Sequence, residues 1–186
     1  MKAQNRKDYS IETHNQIIGW TSNCDTKASI VLAFIGVLVS ITFTSDYLLK
    51  SIETQVNNII VYWRVGTGTF SISATLLFAS LICFIILIGL SFFHAISSLK
   101  ANTKCDNDSI IFFGKIANCT TKEEYIEKVN NITDKDLETD KLSQIFTCAT
   151  ICNKKFELYN KSVMFLYMGL FLFVCFVFFA IISKSL

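Results

Sequence analysis

Charged residues are missing from three long stretches of this 186-residue chain. Residues 28–45, 65–99 and 162–183 contain no Asp, Glu, Lys or Arg over 18, 35 and 22 positions, respectively. At about 1.5 Å of rise per residue, roughly 20 helical residues cross a hydrocarbon core of about 30 Å. Each stretch is therefore predicted to form one membrane-spanning helix. The absence of charge within the spans also argues against the charged relay of a coupled transporter.

Proline is absent from the whole chain, which is typical of long helices without kinks. The apolar runs are continuous rather than alternating, which excludes the strand pattern of a membrane barrel. We expect an all-α integral membrane protein with three transmembrane helices and a small, mainly helical cytosolic domain. The predicted segments are a cytosolic N-terminal helix at 1–27, spans at 28–45, 65–99 and 163–183, an external loop at 46–64, and the cytosolic domain at 100–162.

The distribution of Lys and Arg predicts the orientation in the membrane. The loop at 46–64 carries only Lys50 and Arg64, whereas the segment 100–162 carries ten lysines. The N-terminal segment adds Lys2, Arg6, Lys7 and Lys27. Because positive residues accumulate on the cytoplasmic side, the N-terminus and the large loop are predicted to be cytoplasmic and the C-terminus external.

Two short segments outside the spans have apolar patterns of their own. Within the large loop, SIIFFGKI at 109–116 reads as a short strand-like segment or a buried apolar run. In the external loop, residues 59–63 suit a short interfacial helix. Both are therefore predicted as minor elements between the longer helices.

Two helix starts are predicted after this segment. Thr120 and Thr121 precede glutamates at 123 and 124, which is a capping-box signal for a helix of about ten residues. A second cap, at Thr133 or Asp134, begins a pattern that no helix-breaking residue interrupts. Residues 135–183 are therefore predicted to form one long helix.

Apolar side chains recur every three or four residues between 142 and 163, as in a helix that packs against a partner helix. They are Leu142, Ile145, Ala149, Cys152, Phe156, Tyr159 and Val163. The partner is either the N-terminal helix of the same chain or the same helix of a second subunit. Small residues also line one face of the first and second spans, where they permit close helix packing, in the simplest case within the three-helix bundle of one chain. They are Ala33, Gly36, Ser40, Thr44, Ser71, Thr75, Ala79 and Cys83. Together these faces predict a homo-oligomer.

Catalytic motifs are absent from the sequence. His14 and His94 are distant in the chain, neither accompanies a recognisable nucleophile motif, and no phosphate-binding glycine loop occurs. Cys148 and Cys152 share a helix face, but two thiols without further ligands are poor evidence for a metal site. We therefore expect no enzymatic activity, no metal and no cofactor.

Three blocks of sequence occur in an order that is typical of one known family. The first, at 15–36, is NQIIGWTSNCDTKASIVLAFIG. The second, at 111–129, is IFFGKIANCTTKEEYIEKV. The third begins at Asp140, continues through Gln144-Ile145 and ends at Lys155-Phe156, just before the last span. From about residue 10 to residue 183 the chain thereby resembles the Pycsar-type transmembrane effectors.

The first block includes a short motif at the entry to the first membrane span. The family has an Asp-x-Lys-Ala motif there, which corresponds to Asp25, Lys27 and Ala28. Its Trp corresponds to Trp20, but Thr21 follows it where the family has Ile. That departure leaves the role of the side chain at 21 open.

The resemblance implies a role in bacterial anti-phage defence. A partner cyclase makes a cyclic pyrimidine mononucleotide during infection, cyclic UMP or cyclic CMP. The effector then oligomerises or rearranges and impairs the inner (plasma) membrane, which causes growth arrest or abortive infection. No direct contact between effector and cyclase is implied. The alternative is a non-catalytic membrane scaffold or regulatory subunit that tethers a cytosolic partner through residues 142–163.

A soluble nucleotide would reach the cytosolic part of such a protein. Its phosphate needs a cation or backbone donors, and its base needs an aromatic or apolar face. The residues that offer these groups are Phe112, Phe113, Gly114, Lys115, Lys154, Lys155, Phe156 and Tyr159. Candidates for coupling the nucleotide to the membrane entry are Trp20, Asp25, Lys27 and Gln144. The competing interpretation makes the phenylalanines a small core and the lysines a solvated face.

Overall fold

The computed structural model describes residues 3–65, 72–100 and 109–185. These residues form six helices and no strand. The helices are α1 (Ala3–Thr44), α2 (Asp46–Val65), α3 (Ile72–Leu99), α4 (Phe113–Ile116), α5 (Lys122–Asn131) and α6 (Asp134–Ser185). Residues 66–71, near the start of the predicted second span, and residues 101–108, in the large loop after it, lie outside the described residues.

Three of the helices are long and apolar enough to cross a membrane. The segments that meet this condition are Lys7–Thr44, Phe78–Leu99 and Asp134–Phe178. With no proline to remove a backbone donor, α1 reaches 42 residues and α6 reaches 52. The predicted fold class, all-α with three transmembrane helices, is confirmed.

The strand-like segment predicted at 109–116 is wrong. The hydroxyl of Ser109 accepts hydrogen bonds from the amides of Ile111 and Phe112, at 3.2 and 3.1 Å. These local bonds use the donors that a strand would offer to a neighbour, and they fold residues 109–112 into a turn. The short helix α4 begins immediately afterwards.

The segment predicted as an external loop is more regular than its sequence suggested. Instead of a short helix at 59–63, the 20-residue helix α2 covers the whole of 46–64. Asp46 in its first turn and Arg64 in its last turn both oppose the helix dipole with favourable charge. Leu49, Ile52 and Val56 recur at helical spacing with polar residues between them, which is the pattern of an amphipathic helix.

Both predicted helix starts are confirmed. Thr121 is the N-cap of α5 and its side chain accepts from the amide of Glu124, while the Glu124 carboxylate accepts from the amide of Thr120. Thr133 accepts from the amide of Asp136 at the start of α6. The single long helix predicted over 135–183 is confirmed as α6.

The chain divides into two compact units, and α1 and α6 contribute residues to both. One, here called the polar unit, comprises the described residues of Met1–Thr26 and Ser98–Glu157. The other, here called the apolar unit, comprises those of Lys27–Ser97 and Leu158–Leu186. Each has its own packing.

The apolar unit has a core drawn from three helices. Its buried members are Val31, Ile35 and Leu38 of α1, Leu81, Phe84, Ile88 and Ala95 of α3, and Leu166 and Phe176 of α6. A side-chain carbon added to Gly169 would lie 3.1 Å from Ile88, so this glycine lets α6 approach α3 closely. The core therefore forms at the positions where the helix backbones can come near one another.

The small-residue faces predicted for packing are exposed within the chain. Ala33, Gly36, Ser40 and Thr44 of α1 and Ala79 and Cys83 of α3 all lie on the surface of the apolar unit. Ser71 and the Thr75 side chain lie outside the described parts. The larger apolar residues form the contacts within the chain instead, because they fill the space between helices and gain more dispersion energy.

Candidate functional site

One buried hydroxyl organises the polar unit. Ser109 is 4% exposed, and its hydroxyl donates to the Asp140 carboxylate at 3.0 Å. The same carboxylate oxygen accepts from the amide of Ile110 at 3.1 Å. The side-chain amide of Gln144, which is itself buried, donates to the Ser109 hydroxyl at 3.0 Å. The turn before α4 is thereby attached to two successive turns of α6.

A pocket opens beside this turn. It has a volume of about 570 Å³, and residues from the turn, α4, α5 and the start of α6 line it. Those that bear chemical groups of interest are Ser109, Lys115, Tyr125, Glu127, Lys128 and Asp136. The Tyr125 hydroxyl donates to the Ile110 carbonyl at 3.3 Å, which joins α5 to the turn. The walls of the pocket are thus connected by hydrogen bonds.

The charges around the pocket are partly paired with each other. The Lys128 ammonium lies 2.9 Å from the Glu124 carboxylate and 3.8 Å from the Cys119 sulfur. The hydrogen bond from Lys128, together with the one from the Thr120 amide, lowers the pKa of the Glu124 carboxyl below its usual value. Asp136 accepts a hydrogen bond from the Thr133 hydroxyl at 2.6 Å. Among the described residues, the Lys115 ammonium has no hydrogen-bond or ion-pair partner.

The nucleotide-binding candidates at 112–115 lie in two different surroundings. Lys115 lines the pocket, whereas Phe112 and Phe113 do not. Their rings contact each other, with centroids 4.8 Å apart, and Phe113 is 64% exposed. The Phe112 ring also lies over Gly114, where an added side-chain carbon would be 2.7 Å from it. The glycine therefore accommodates the ring of Phe112.

The nucleotide-binding candidates at 154–159 are spread along α6. The Lys155 ammonium lies 2.5 Å from the Asp25 carboxylate of α1, and only 12% of its side chain is exposed. Lys154 is exposed and Phe156 is half-buried. Tyr159 belongs to the apolar unit, where it packs against the core.

Two of the coupling candidates take part in contacts between helices. Asp25 pairs with Lys155, and Gln144 contacts Ser109. Trp20 is 55% exposed, and Lys27 is an exposed residue of the apolar unit. Whether any of the four couples a ligand to the membrane stays a prediction.

Part of the segment 142–163 has α1 as its partner helix. In the polar unit, Cys148 lies 4.0 Å from the His14 ring nitrogen, and Lys155 pairs with Asp25. Cys152 is buried. These contacts favour the intramolecular alternative for this part of α6, whereas Leu142, at its start, is 52% exposed.

Sequence reasoning assigned neither Ser109 nor the Glu124–Lys128 pair to a binding site, although it recognised Glu124 as part of a helix cap. Glu124 and Lys128 are four apart, which is a recognisable helix ion-pair spacing that could have identified them. Ser109 gave no such signal, because its partners Asp140 and Gln144 are 31 and 35 residues away. In the part of the chain that the structure describes, no group of three His, Cys, Asp or Glu residues could hold a metal ion.

The three sequence blocks that suggested a family meet in the polar unit. Asp25 of the first block pairs with Lys155 of the third. Asp140 and Gln144, also of the third, hold Ser109, which stands two residues before the second block. The blocks therefore supply the contacts that assemble this unit.

Comparisons with known proteins agree with the resemblance. The family described as Pycsar effector protein domain matches residues 9–182. The Pycsar effector protein GmPycTM of Gulbenkiania mobilis is 31% identical over 190 aligned positions, which cover 90% of this chain and 89% of that protein. No solved structure matches the chain.

Proposed function

The chain belongs to the family of Pycsar transmembrane effectors, which act in anti-phage defence, and we propose that a cyclic nucleotide triggers it to impair the bacterial inner membrane. The nucleotide is cyclic UMP or cyclic CMP, and an infection-activated cyclase supplies it without contacting the effector directly. The response is growth arrest or abortive infection, with no chemical step performed by the effector itself.

The observation that supports this proposal best is that one chain combines two dissimilar units. Three helices long and apolar enough to span a membrane contribute residues to the apolar unit. The polar unit contains a pocket with an unpaired lysine ammonium in the described part of the chain. A soluble anion can bind to such a unit, and a change there can alter helices that continue into the membrane segments.

The decisive experiment is expression of the protein in bacteria together with a cyclase that makes one cyclic pyrimidine nucleotide. Growth arrest and entry of a membrane-impermeant dye are expected with an active cyclase and not with its inactive variant. A protein that reaches the membrane and allows normal growth with either cyclic nucleotide would contradict the proposal.

The proposed orientation has the N-terminus and residues 100–162 in the cytoplasm and the C-terminus outside. The lysine distribution supports it, since 100–162 carries ten lysines. Reporter fusions at residues 55 and 130 test it. A cytoplasmic signal from position 55 would contradict the orientation without affecting the family assignment.

Self-association is the proposed form of the response. On α6 of the polar unit, Leu142 is 52% exposed and Phe146 is 75% exposed. A second copy anchored in the same membrane would present the same helix face. Phe146→Asp is expected to abolish ligand-dependent cross-linking, because a charge in an apolar helix contact is costly, whereas Lys141→Asp on another exposed face is not. Equal cross-linking of both variants would place the interface elsewhere.

The same exposed pair also supports the alternative function, a scaffold that tethers a cytosolic partner. The two functions differ in their dependence on nucleotide. A scaffold has no reason to respond to the cyclase, so nucleotide-independent growth arrest or none at all would favour it.

A further inference from the structure

The positive charges of the polar unit differ in their availability to a ligand. Lys155 is paired with Asp25 and its side chain is only 12% exposed. Lys128 is paired with Glu124. Lys154 is exposed, but it does not line the pocket beside α4. Lys115 combines both properties that a phosphate needs, since it lines a pocket and its ammonium has no partner among the described residues.

The pocket at Lys115 is built before any ligand arrives. Its volume of about 570 Å³ falls within the range of roughly 300–1,000 Å³ that small-molecule sites occupy. One wall, the turn at Ser109 and Ile110, is fixed to α6 by the Asp140 carboxylate. Another wall, α5, is fixed to the same turn by the Tyr125 hydroxyl. Binding therefore requires little ordering of the protein, which preserves affinity.

The acceptors of the pocket restrict the ligand further. Once Lys128 and Glu124 are paired, the remaining charges are one ammonium, Lys115, and two carboxylates, Glu127 and Asp136. Glu127 has no hydrogen-bond or ion-pair partner among the described residues. A ligand that fits these charges carries a single anionic group and offers N–H donors at another edge. A carboxylate accepts from the exocyclic amino group of cytosine, whereas uracil has a carbonyl oxygen at that position.

We infer that this pocket is the trigger site and that it binds a cyclic mononucleotide with an amino-bearing pyrimidine. Lys115 binds the phosphate, and the Glu127 carboxylate accepts from the amino group of the base. Cyclic CMP is therefore preferred over cyclic UMP. The inference rests on the proposed function, from which it takes the class of ligand. It adds the location of the binding site and the identity of the base.

The first test is titration calorimetry of the full-length protein in detergent with each cyclic nucleotide. Lys115→Ala is expected to weaken both ligands about tenfold or more, because a charge-assisted hydrogen bond to phosphate is lost. Lys141→Ala, at an exposed lysine outside the pocket, is the matched control and is expected to bind as wild type does. If Lys115→Ala binds both nucleotides within about twofold of wild type, the pocket is not the site. Unfolding midpoints of both variants establish that the fold is intact.

The second test addresses the base. Glu127→Gln keeps the shape of the side chain and removes its charge, and it is expected to reduce the preference for cyclic CMP by about tenfold. Glu123→Gln, on the same helix but outside the pocket lining, is expected to keep the wild-type preference. Wild-type binding of cyclic UMP as tightly as cyclic CMP would overturn the choice of base. Wild-type binding of neither nucleotide would instead overturn the proposed function.

Discussion

The polar and apolar units use different forces to specify a packing. In the polar unit, single side chains with fixed hydrogen-bond geometry join elements that are far apart in the chain, as Ser109 does with Asp140 and Gln144. In the apolar unit, contact between apolar surfaces is the main force that joins the helices. The rings of Phe84 and Phe173 are 5.1 Å apart, and Gly169 lies against Ile88.

The apolar unit has one polar contact that invites direct comparison. Ser91 of α3 donates to the Ser162 carbonyl at 2.8 Å, and Ser162 of α6 donates to the Ser91 carbonyl at 2.8 Å. Both residues are fully buried. The pair bonds to backbone carbonyls that already serve their own helices, so its loss leaves no donor without a partner. The Ser109 hydroxyl, in contrast, is the acceptor for several donors at once. This difference predicts unequal effects of equal substitutions.

The largest effect is expected from Ser109→Ala. The substitution leaves the Gln144 amide and the Ile111 and Phe112 backbone amides without this acceptor, and the free energy of unfolding is expected to fall by about 2–3 kcal/mol. Thr139→Ala is the control, since within the described parts of the chain that hydroxyl bonds only to the Lys135 carbonyl in its own helix. Chemical denaturation in detergent measures both. An effect of Ser109→Ala no larger than that of the control would contradict the role of the hydroxyl.

A smaller loss, about 1–2 kcal/mol, is expected from Asp25→Asn. The ammonium of Lys155, whose side chain is 12% exposed, then lacks its carboxylate. Adding Lys155→Met to that variant removes the unpaired charge, and the double variant is expected to be more stable than Asp25→Asn alone. If the two substitutions destabilise additively, the ion pair contributes nothing beyond packing.

Ser91→Ala is expected to cost only about 0.6 kcal/mol, the average for hydrogen bonds between membrane helices. The matched control is Ser40→Ala, an exposed serine of α1 in the same unit. Unfolding in mixed detergent micelles provides the comparison. A loss for Ser91→Ala equal to that for Ser109→Ala would remove the distinction between the units.

The smallest expected effect is the loss of stability at low pH that depends on Glu124. Because the folded-state pKa of Glu124 is lowered, its ionised form stabilises the fold at pH values above its unfolded pKa, and this contribution is lost as the pH falls through the folded pKa. Wild type is therefore expected to lose slightly more stability than Glu124→Gln between about pH 6 and about pH 3. Unfolding midpoints across that range test it, and parallel curves for the two proteins would contradict it.

Part of the candidate site could be predicted from the sequence, and part of it could not. Thr121 and Glu124 were recognised because a helix cap involves neighbours in the chain. Lys115 was selected as a phosphate ligand from its residue type, and it lies in the pocket. Its neighbours Phe112 and Phe113 were selected with it, yet they contact each other and do not line the pocket. Proximity in sequence did not predict which side chains share a cavity.

The same limit applies to helix faces. The small residues of the first span were expected to pack, but Gly36 and Ser40 are exposed, and Val31, Ile35 and Leu38 form the contact. A pattern of residue sizes indicates which faces can pack closely. It does not indicate which of them has a partner within the chain.

The sequence by itself determined the three apolar helices and the beginnings of α5 and α6. A bilayer acts on each segment separately, through its length and charge, and a cap acts through residues three positions apart. Only the tertiary structure decided that Ser109 joins α6 and that Asp25 meets Lys155, 130 positions along the chain. These contacts depend on where the chain returns in space. The return is fixed by the packing of all the helices together, and no local pattern of residues encodes it.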